Sequence, residues 1–518
     1  MRRRSLRTAS LRTALLLTFA LVAGLEAASS AISLVDAVKQ GNREAVRVLL
    51  AKRTDVNQPE PDGTTPLHWA VRANDAETVT LLLRAGAKVS AANRNGVMPL
   101  TLASVNGDPV IIETLLNAGA DPNTATSEGE TVLLTASRTG RVDAVRALIA
   151  HGADVNAREH WLGETALMWA AAENHAGVVR TLVAAGADVN ARSDVQDAPV
   201  LEFPRSGGPN APFPRGGWTP LMYAARDGAI DAARALAELG AGLNLTAVPE
   251  TDISVKDVKA AADGVGTTAL VFAIINVHYD LAAMLLDKGA DPNIVDVAGM
   301  GALYAAVDMN SLQWVQGRPA PILTDTLDGV GMVRQLLQHR ADPNARLKAR
   351  PLKRHHDAGS TLNFGEGTTP LMRAARTNDV AVMKLLLDGG ADPFLRLPDR
   401  TNALLIAAGQ GYGGTRGDGP RLPAPTEETA IEAVTLLLDH GADIHYFNDA
   451  GNTVLHAAVA RGDNLVKFLV ERGARITAQN KAGLTPLDIA AGASGRRGAR
   501  GPARDTTVAL LRRLMAVP

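Results

Sequence analysis

Apolar residues recur along this chain in a rhythm that one long helix or strand would not produce. Between residues 65 and 91, Leu67, Ala70 and Val71 fall at helical spacing, and a polar turn follows at Asn74. Leu81, Leu82 and Leu83 then resume the apolar run before Gly86. Spacings of three and four residues place side chains on one helical face, so the stretch predicts two short helices joined by a tight turn. Thr65 stands where its hydroxyl can cap the first helix. Pro66 suits a first turn in which no amide partner is missed, and Gly86 can take the left-handed conformation that ends the second helix.

The unit returns. Its closing glycine falls at Gly86, Gly119, Gly152 and Gly186, a period of roughly 33 residues. A helix pair this short cannot bury its apolar face alone, so neighbouring units must stack. The chain therefore predicts an all-α repeat solenoid of about twelve helix-turn-helix units joined by hairpin loops.

Two motifs mark the units. Thr65-Pro66-Leu67-His68 has near copies at Thr219-Pro220-Leu221-Met222, Thr369-Pro370-Leu371-Met372, Thr453-Val454-Leu455-His456 and Thr485-Pro486-Leu487-Asp488. Gly119-Ala120-Asp121-Pro122-Asn123 is matched at Gly152–Asn156, Gly186–Asn190, Gly289–Asn293 and Gly441–Asp443. In these residues the chain resembles the ankyrin repeat over most of residues 33–516, and it is similar to exported bacterial ankyrin-repeat proteins with loop insertions. The resemblance implies stacked helix pairs whose hairpin loops project to one side. It also implies a concave side lined by first helices, structural roles for His68 and His456 as bridges between loop backbones, and a protein partner.

The domain boundaries follow from breaks in the period. Residues 33–61 lack the Thr-Pro-Leu start and read as an N-terminal capping repeat, followed by repeats over 62–193. Residues 194–215, rich in Pro and Gly, read as an inserted loop. Repeats then run over 216–346 with insertions at 245–264 and 311–329. An inserted loop at 347–365 precedes repeats over 366–480 with an insertion at 411–428. Residues 481–518 form a C-terminal capping repeat with a Gly/Arg-rich stretch at 492–504. The insertions at 194–215, 245–264 and 347–365 fall between repeats, on the hairpin side. They are either tolerated drift, since closure entropy grows slowly with length, or one wall of a binding surface.

Composition narrows the function classes. Hydrophobic residues make up 46% of the chain but aromatics only 3%, which favours close helix packing through small side chains. The formal net charge is −1, too weak a field to draw nucleic acid. There are no cysteines, which rules out disulfides and thiolate chemistry. Residues 1–31 read as a signal peptide: Arg2, Arg3, Arg4, Arg7 and Arg12 precede an apolar run from Ala14 to Leu25, and Ser29-Ser30-Ala31 is a candidate cleavage site. That run is short for a membrane span, and no second one follows. Export to the periplasm or the exterior is expected, by the general or the twin-arginine route.

The candidate site lies on the expected concave side. One position after the Thr-Pro-Leu-His slot reads Trp69, Leu102, Thr135, Trp169, Tyr223, Phe272, Ala305, Arg373, Ile406, Ala457 and Ile489. Trp69, Trp169, Tyr223 and Phe272 form an aromatic stripe, which either anchors a partner or fills gaps between helices. One helical turn on stand Arg72, Arg138, Arg226 and Arg376. These eight residues and Arg373 are the expected partner-binding set.

Other motifs lack the context their chemistry needs. Gly409-Gln410-Gly411-Tyr412-Gly413-Gly414 has the spacing of a dinucleotide loop but leaves a repeat helix instead of a strand. His355-His356-Asp357 lacks the further converging ligands of a metal site. Arg416-Gly417-Asp418 is a tripeptide within an insertion. No catalysis, cofactor or metal is expected, and the chain reads as a monomeric interaction module or scaffold. The alternatives are an enzyme or ligand-binding protein with a site built from the inserted loops, and an envelope scaffold with no discrete partner.

Overall fold

The computed structural model describes residues 32–197, 214–247, 266–311, 325–349, 365–410, 426–493 and 504–516. Residues 1–31, expected above to be a signal peptide, the bulk of each insertion, the His355-His356-Asp357 cluster and the Arg416-Gly417-Asp418 tripeptide lie outside them. The chain divides into two compact units, residues 1–159 and 160–518, a division that the repeat pattern did not signal.

The first unit contains α1 (Leu34–Lys39), α2 (Arg43–Ala51), α3 (Pro66–Arg72), α4 (Ala76–Arg84), α5 (Pro99–Asn106), α6 (Pro109–Asn117), α7 (Val132–Thr139) and α8 (Val142–Ala150). First helices stack on first helices, α3 on α5 and α5 on α7. Second helices stack on second helices, α4 on α6 and α6 on α8. Leu67, Ala70, Val71, Val79 and Leu82 are wholly buried between these layers.

The second unit repeats the scheme. It contains α9 (Ala166–Ala172), α10 (Ala176–Ala184), α11 (Pro220–Asp227), α12 (Ile230–Glu238), α13 (Ala269–Ile275), α14 (Tyr279–Asp287), α15 (Ala302–Ser311) and α16 (Gly329–Gln338). α17 (Pro370–Thr377), α18 (Val380–Asp388), α19 (Ala403–Ala408), α20 (Glu427–Asp439), α21 (Val454–Ala458), α22 (Asp463–Glu471), α23 (Pro486–Ala490) and α24 (Asp505–Met515) follow. α20 starts inside the stretch expected as an insertion, because Thr426 caps it by accepting from the Thr429 amide. Among the described residues the one strand pair is β1 (Gln196–Asp197) with β2 (Pro214–Arg215), antiparallel, at the two ends of the 194–215 insertion.

An asparagine carboxamide recurs as a tie between neighbouring repeats. Asn57 Nδ2 donates to the Gly86 carbonyl at 3.1 Å, while its Oδ1 accepts from the Lys88 amide at 2.7 Å. Asn123 bonds in the same way to Gly152 and Asp154, at 3.1 and 2.8 Å. Asn344 does so to Gly390 and Asp392, at 3.0 and 2.7 Å. The carbonyl belongs each time to the left-handed residue that ends a second helix, at φ 91° for Gly86 and 92° for Gly390. Both polar ends of one side chain are thus satisfied by the neighbouring repeat's backbone. The series lapses at Ser90, Phe394 and His445, which take the asparagine's place; Phe394 is 56% exposed.

The histidines lock the hairpins as the resemblance implies. His68 Nδ1 accepts from the Thr65 amide at 3.2 Å, so the other ring nitrogen carries the proton and donates to the Val97 carbonyl at 3.0 Å. His456 repeats this between Thr453 and Leu484, at 3.1 and 3.0 Å. Both rings are buried, and burial holds them below the ordinary imidazole value of 6.5.

Two predictions follow from this framework. The mid-repeat turn needs a left-handed residue, filled by Asn74 (φ 54°), Gly107 (65°) and Asn378 (51°) but also by Val277 (66°), whose branched Cβ is strained there. Val277→Asn should raise stability by about 1 kcal/mol, read as a higher urea midpoint; an unchanged or lower midpoint would contradict the strain. The second concerns pH. The folded chain holds His68 and His456 neutral, whereas the unfolded chain protonates them near 6.5, so their contribution is complete above that value. It is lost as pH falls through the lower folded values. The urea midpoint should drop as pH falls below about 6.5. The double variant His68→Asn/His456→Asn should flatten that window. It should keep the separate loss at lower pH from carboxylates such as Asp62, which bonds to Thr64 hold below their ordinary 3.8.

Candidate binding groove

The second unit brings two first helices, α9 and α11, side by side. Their equivalent positions are Trp169 and Tyr223, and one turn further on stand Ala172 with Glu173 and Arg226 with Asp227. Glu164 comes in from the hairpin just before the Thr165 cap. With Met168, these residues line an open pocket of about 400 Å³.

Each wall has an identifiable support. Tyr223 is only 5% exposed. Burial raises its phenol well above the usual range, and its hydroxyl is bonded to Glu164, which raises it further, and to Ser193. Ser193 also fixes Trp218: its Oγ accepts from the Trp218 amide at 3.1 Å and its own amide donates to the Trp218 carbonyl at 3.0 Å. The Trp218 ring meets Tyr223 edge-on at 5.5 Å and Phe272 at 5.0 Å. Arg226 lies over both Trp218 and Tyr223, at 5.3 and 5.1 Å, while its guanidinium makes two bonds to Asp227 at 2.9 and 2.7 Å. The Asp227 bond raises the Arg226 pKa and keeps the group charged.

The base of the 194–215 insertion is part of this support. Arg192 Nη1 donates to the carbonyls of Gly217 and Thr246, at 2.8 and 2.7 Å. Gly216 (φ 117°) passes so close to the Asp194 carbonyl that a Cβ would lie 1.9 Å from its oxygen. Only glycine fits there, and the chain re-enters the stack with Trp218 placed against Tyr223 and Phe272.

The sequence-predicted residues divide into distinct settings. Trp169, Tyr223 and Arg226 come together at the pocket. Trp69 and Arg72 form a second cluster in the first unit. Lys39 Nζ lies 4.3 Å and the Arg72 guanidinium 5.3 Å from the Trp69 ring centroid. The indole nitrogen donates to Glu60 at 2.6 Å, and Glu60 also pairs with Lys39. Arg138 is exposed, 4.0 Å from Glu130, which accepts from the Thr135 hydroxyl at 2.9 Å. Arg376 is half-buried, with its carbonyl accepting from Arg461 at 3.4 Å.

Three members of the set are buried. Phe272, expected either to anchor a partner or to fill a gap between helices, is 8% exposed and lies against Trp218, as the gap-filling alternative has it. The Tyr223 ring is buried for the same reason. Arg373 is buried and bridges first helices through Asp308, at 2.5 Å to Nε, so it holds α15 to α17. Glu173 and Asp227 fall in the groove-facing pairs Ala172-Glu173 and Arg226-Asp227 that the sequence pattern offers, whereas Glu164 and Trp218 do not. Glu164 and Trp218 occupy one recurring position, immediately before the capping Thr165 and Thr219, as Glu130 does before Thr131. That column, read across repeats, was the available signal.

Among the described residues no group of three or more His, Asp or Glu is placed to hold a metal. Gly409 ends α19 at φ 118°, and the Arg461 side chain crosses where its Cβ would be, with Cγ 2.9 Å away. The first glycine of the dinucleotide-like motif therefore serves packing; residues 411–414 lie outside the described residues.

Family comparison agrees with this geometry. Models described as "Ankyrin repeats (3 copies)" match residues 34–126, 100–193 and 426–499, "Ankyrin repeat" matches 265–297 and 366–396, and "Ankyrin repeats (many copies)" matches 167–237. The chain belongs to the ankyrin-repeat family. An ankyrin repeat protein of fowlpox virus is 33% identical over 187 residues, 33% of this chain and 50% of that protein. The mouse B-cell lymphoma 3 protein homolog is 32% identical over 224 residues, 43% of this chain and 39% of that protein. The Drosophila Neurogenic locus Notch protein is 31% identical over 208 residues, 38% of this chain and 6% of that protein. The chain thus spans half or less of the length of these relatives. Ankyrin repeats are protein-interaction modules and in general non-catalytic. No helix among the described residues is long and apolar enough to cross a membrane.

The corrected role of Arg373 can be measured. Arg373→Ala removes the partner of the Asp308 carboxylate, which is a quarter exposed, and should cost about 2 kcal/mol of stability. The double variant Arg373→Met/Asp308→Leu should recover most of that. Glu173→Ala, at the exposed rim of the pocket, should change stability by less than about 0.5 kcal/mol. Comparable midpoints for Arg373→Ala and Glu173→Ala in urea would return Arg373 to the surface set.

Proposed function

We propose that this chain is an exported, non-catalytic interaction module that holds a protein partner in the groove of residues 160–516. The observation that carries this is the pocket between α9 and α11. It combines an accessible indole, three carboxylates and a guanidinium fixed by Asp227, Trp218 and Tyr223. Aromatic and arginine side chains on a preordered frame suit capture of a partner with little loss of backbone freedom. The hairpin-side insertion at 194–215 leaves the stack beside this groove through the Ser193–Trp218 bonds, which supports a role for that side in contact. The arginine-rich start and apolar run of residues 1–25 support action in the periplasm or outside the cell. A net charge of −1 supports a protein over a nucleic acid as partner.

The test is capture by the full mature chain. The protein is immobilised, envelope extract is passed over it, and retained proteins are identified by mass spectrometry. A Trp169→Ala/Glu173→Ala variant, checked for helicity by circular dichroism, is run beside it. A protein retained by the wild type and lost by the folded variant is the expected result. Equal retention by both would move the site off this groove, and no retention by either would overturn the reading.

A further inference from the structure

We infer that Arg72, in the first unit, receives an acidic side chain of the partner, an aspartate or glutamate carried near an apolar residue on an exposed segment. This extends the interaction reading above to a second surface and rests on it for the class of ligand. Two equivalent places in the fold carry the inference. In the second unit Arg226 lies 5.1 Å over the Tyr223 ring, and the next residue, Asp227, fills its guanidinium fork at 2.9 and 2.7 Å. In the first unit Arg72 lies 5.3 Å over the ring of Trp69, which holds the position of Tyr223. The next residue there is Ala73, a methyl group where Asp227 offers a carboxylate. Among the described residues Arg72 is in no ion pair, and the acid of its cluster, Glu60, pairs with Lys39 and accepts from the Trp69 indole at 2.6 Å.

Charge and shape select the ligand. Lys39 and Arg72 both lie over the one indole, against a single carboxylate, so the cluster carries an excess of positive charge. A carboxylate that enters offsets the repulsion between the two cations. A guanidinium that rests on a ring has lost part of its rotamer freedom already, and its exposed fork matches the two oxygens of a carboxylate. One repeat on, the position of Arg72 is taken by Val105, 54% exposed, with half-buried Leu102 one turn before it. α3 and α5 are stacked, with helix axes in such packing about 8–10 Å apart. The acid on Arg72 and the apolar side chain on Val105 are separated by about that distance. Arg138 holds the position in the following repeat, where the chain supplies its own acid, Glu130, at 4.0 Å.

The experiment uses the full mature chain labelled with 5-fluorotryptophan, with fluorine signals assigned by single Trp→Phe variants. The probe is a capped nine-residue Gly/Ser peptide with one glutamate and one leucine three residues apart, a span of about 10 Å in an extended chain. Its controls are the same peptide with glutamine for glutamate, and sodium acetate. The glutamate peptide should shift the Trp69 signal saturably, and bind less tightly as salt rises. Glutamine in the peptide should weaken binding by roughly fivefold, and so should Arg72→Gln in the protein. Ala73→Asp, at an exposed position and checked for helicity by circular dichroism, gives Arg72 the neighbour that Arg226 has. It should lose the peptide to the same degree. Equal binding of the glutamate and glutamine peptides would overturn the proposal. Undiminished binding by Ala73→Asp, a shift at Trp169 in place of Trp69, or no shift at all would do the same. Acetate binding as tightly as the peptide would overturn it in favour of a small anion. If Ala73→Asp still retained the captured partner that Trp169→Ala/Glu173→Ala loses, the role of Arg72 would fall while the interaction reading stood.

Discussion

The carboxamide that joins one repeat to the next is the constraint on which the rest depends. Asn57, Asn123 and Asn344 each place a donor and an acceptor on the backbone of the following unit. Apolar packing between short helices rich in alanine is non-directional and would tolerate sliding. A side chain that must meet a carbonyl and an amide two residues apart does not. Register between neighbours is therefore set by polar geometry, and the buried leucines and alanines supply cohesion within it. First helices stack on first helices as a result, and only then do residues from separate repeats share a surface.

That surface shows how one repeat position can serve different ends. Trp169 lines an open pocket, Trp69 is covered by Lys39 and Arg72, Phe272 lies under Trp218, and Arg373 is spent on Asp308. The backbone setting is the same in each. What differs is the side chain that the preceding repeat or its hairpin contributes.

This explains what was legible in the sequence. The helices, their caps and the stacking follow from motifs within one unit, such as Thr65-Pro66-Leu67-His68, and one unit suffices to read them. Trp169 and Tyr223 were found because they share a helical position, and Arg226 because it stands one turn on from it. Glu164 and Trp218 were not, because they enter from hairpins, and Trp218 is separated from α9 by an inserted stretch. The burial of Phe272 and Arg373 depends on pairs formed across repeats, and no single repeat encodes such a pair. The division of the chain at residue 159 leaves the period unbroken, so the pattern carried no trace of it.

The closure at the foot of the 194–215 insertion has a consequence for how such a chain can diversify. Gln196 pairs with Arg215 and Asp197 with Pro214, while Arg192 and Ser193 hold the returning strand to the frame. The two ends are thus sealed locally, whatever lies between them. Doubling the enclosed length adds only about 0.6 kcal/mol of closure entropy. Mutation can rewrite that stretch, or engineering can graft another onto it, without disturbing the helices on either side: the frame offers a socket whose contents evolve independently of the stack.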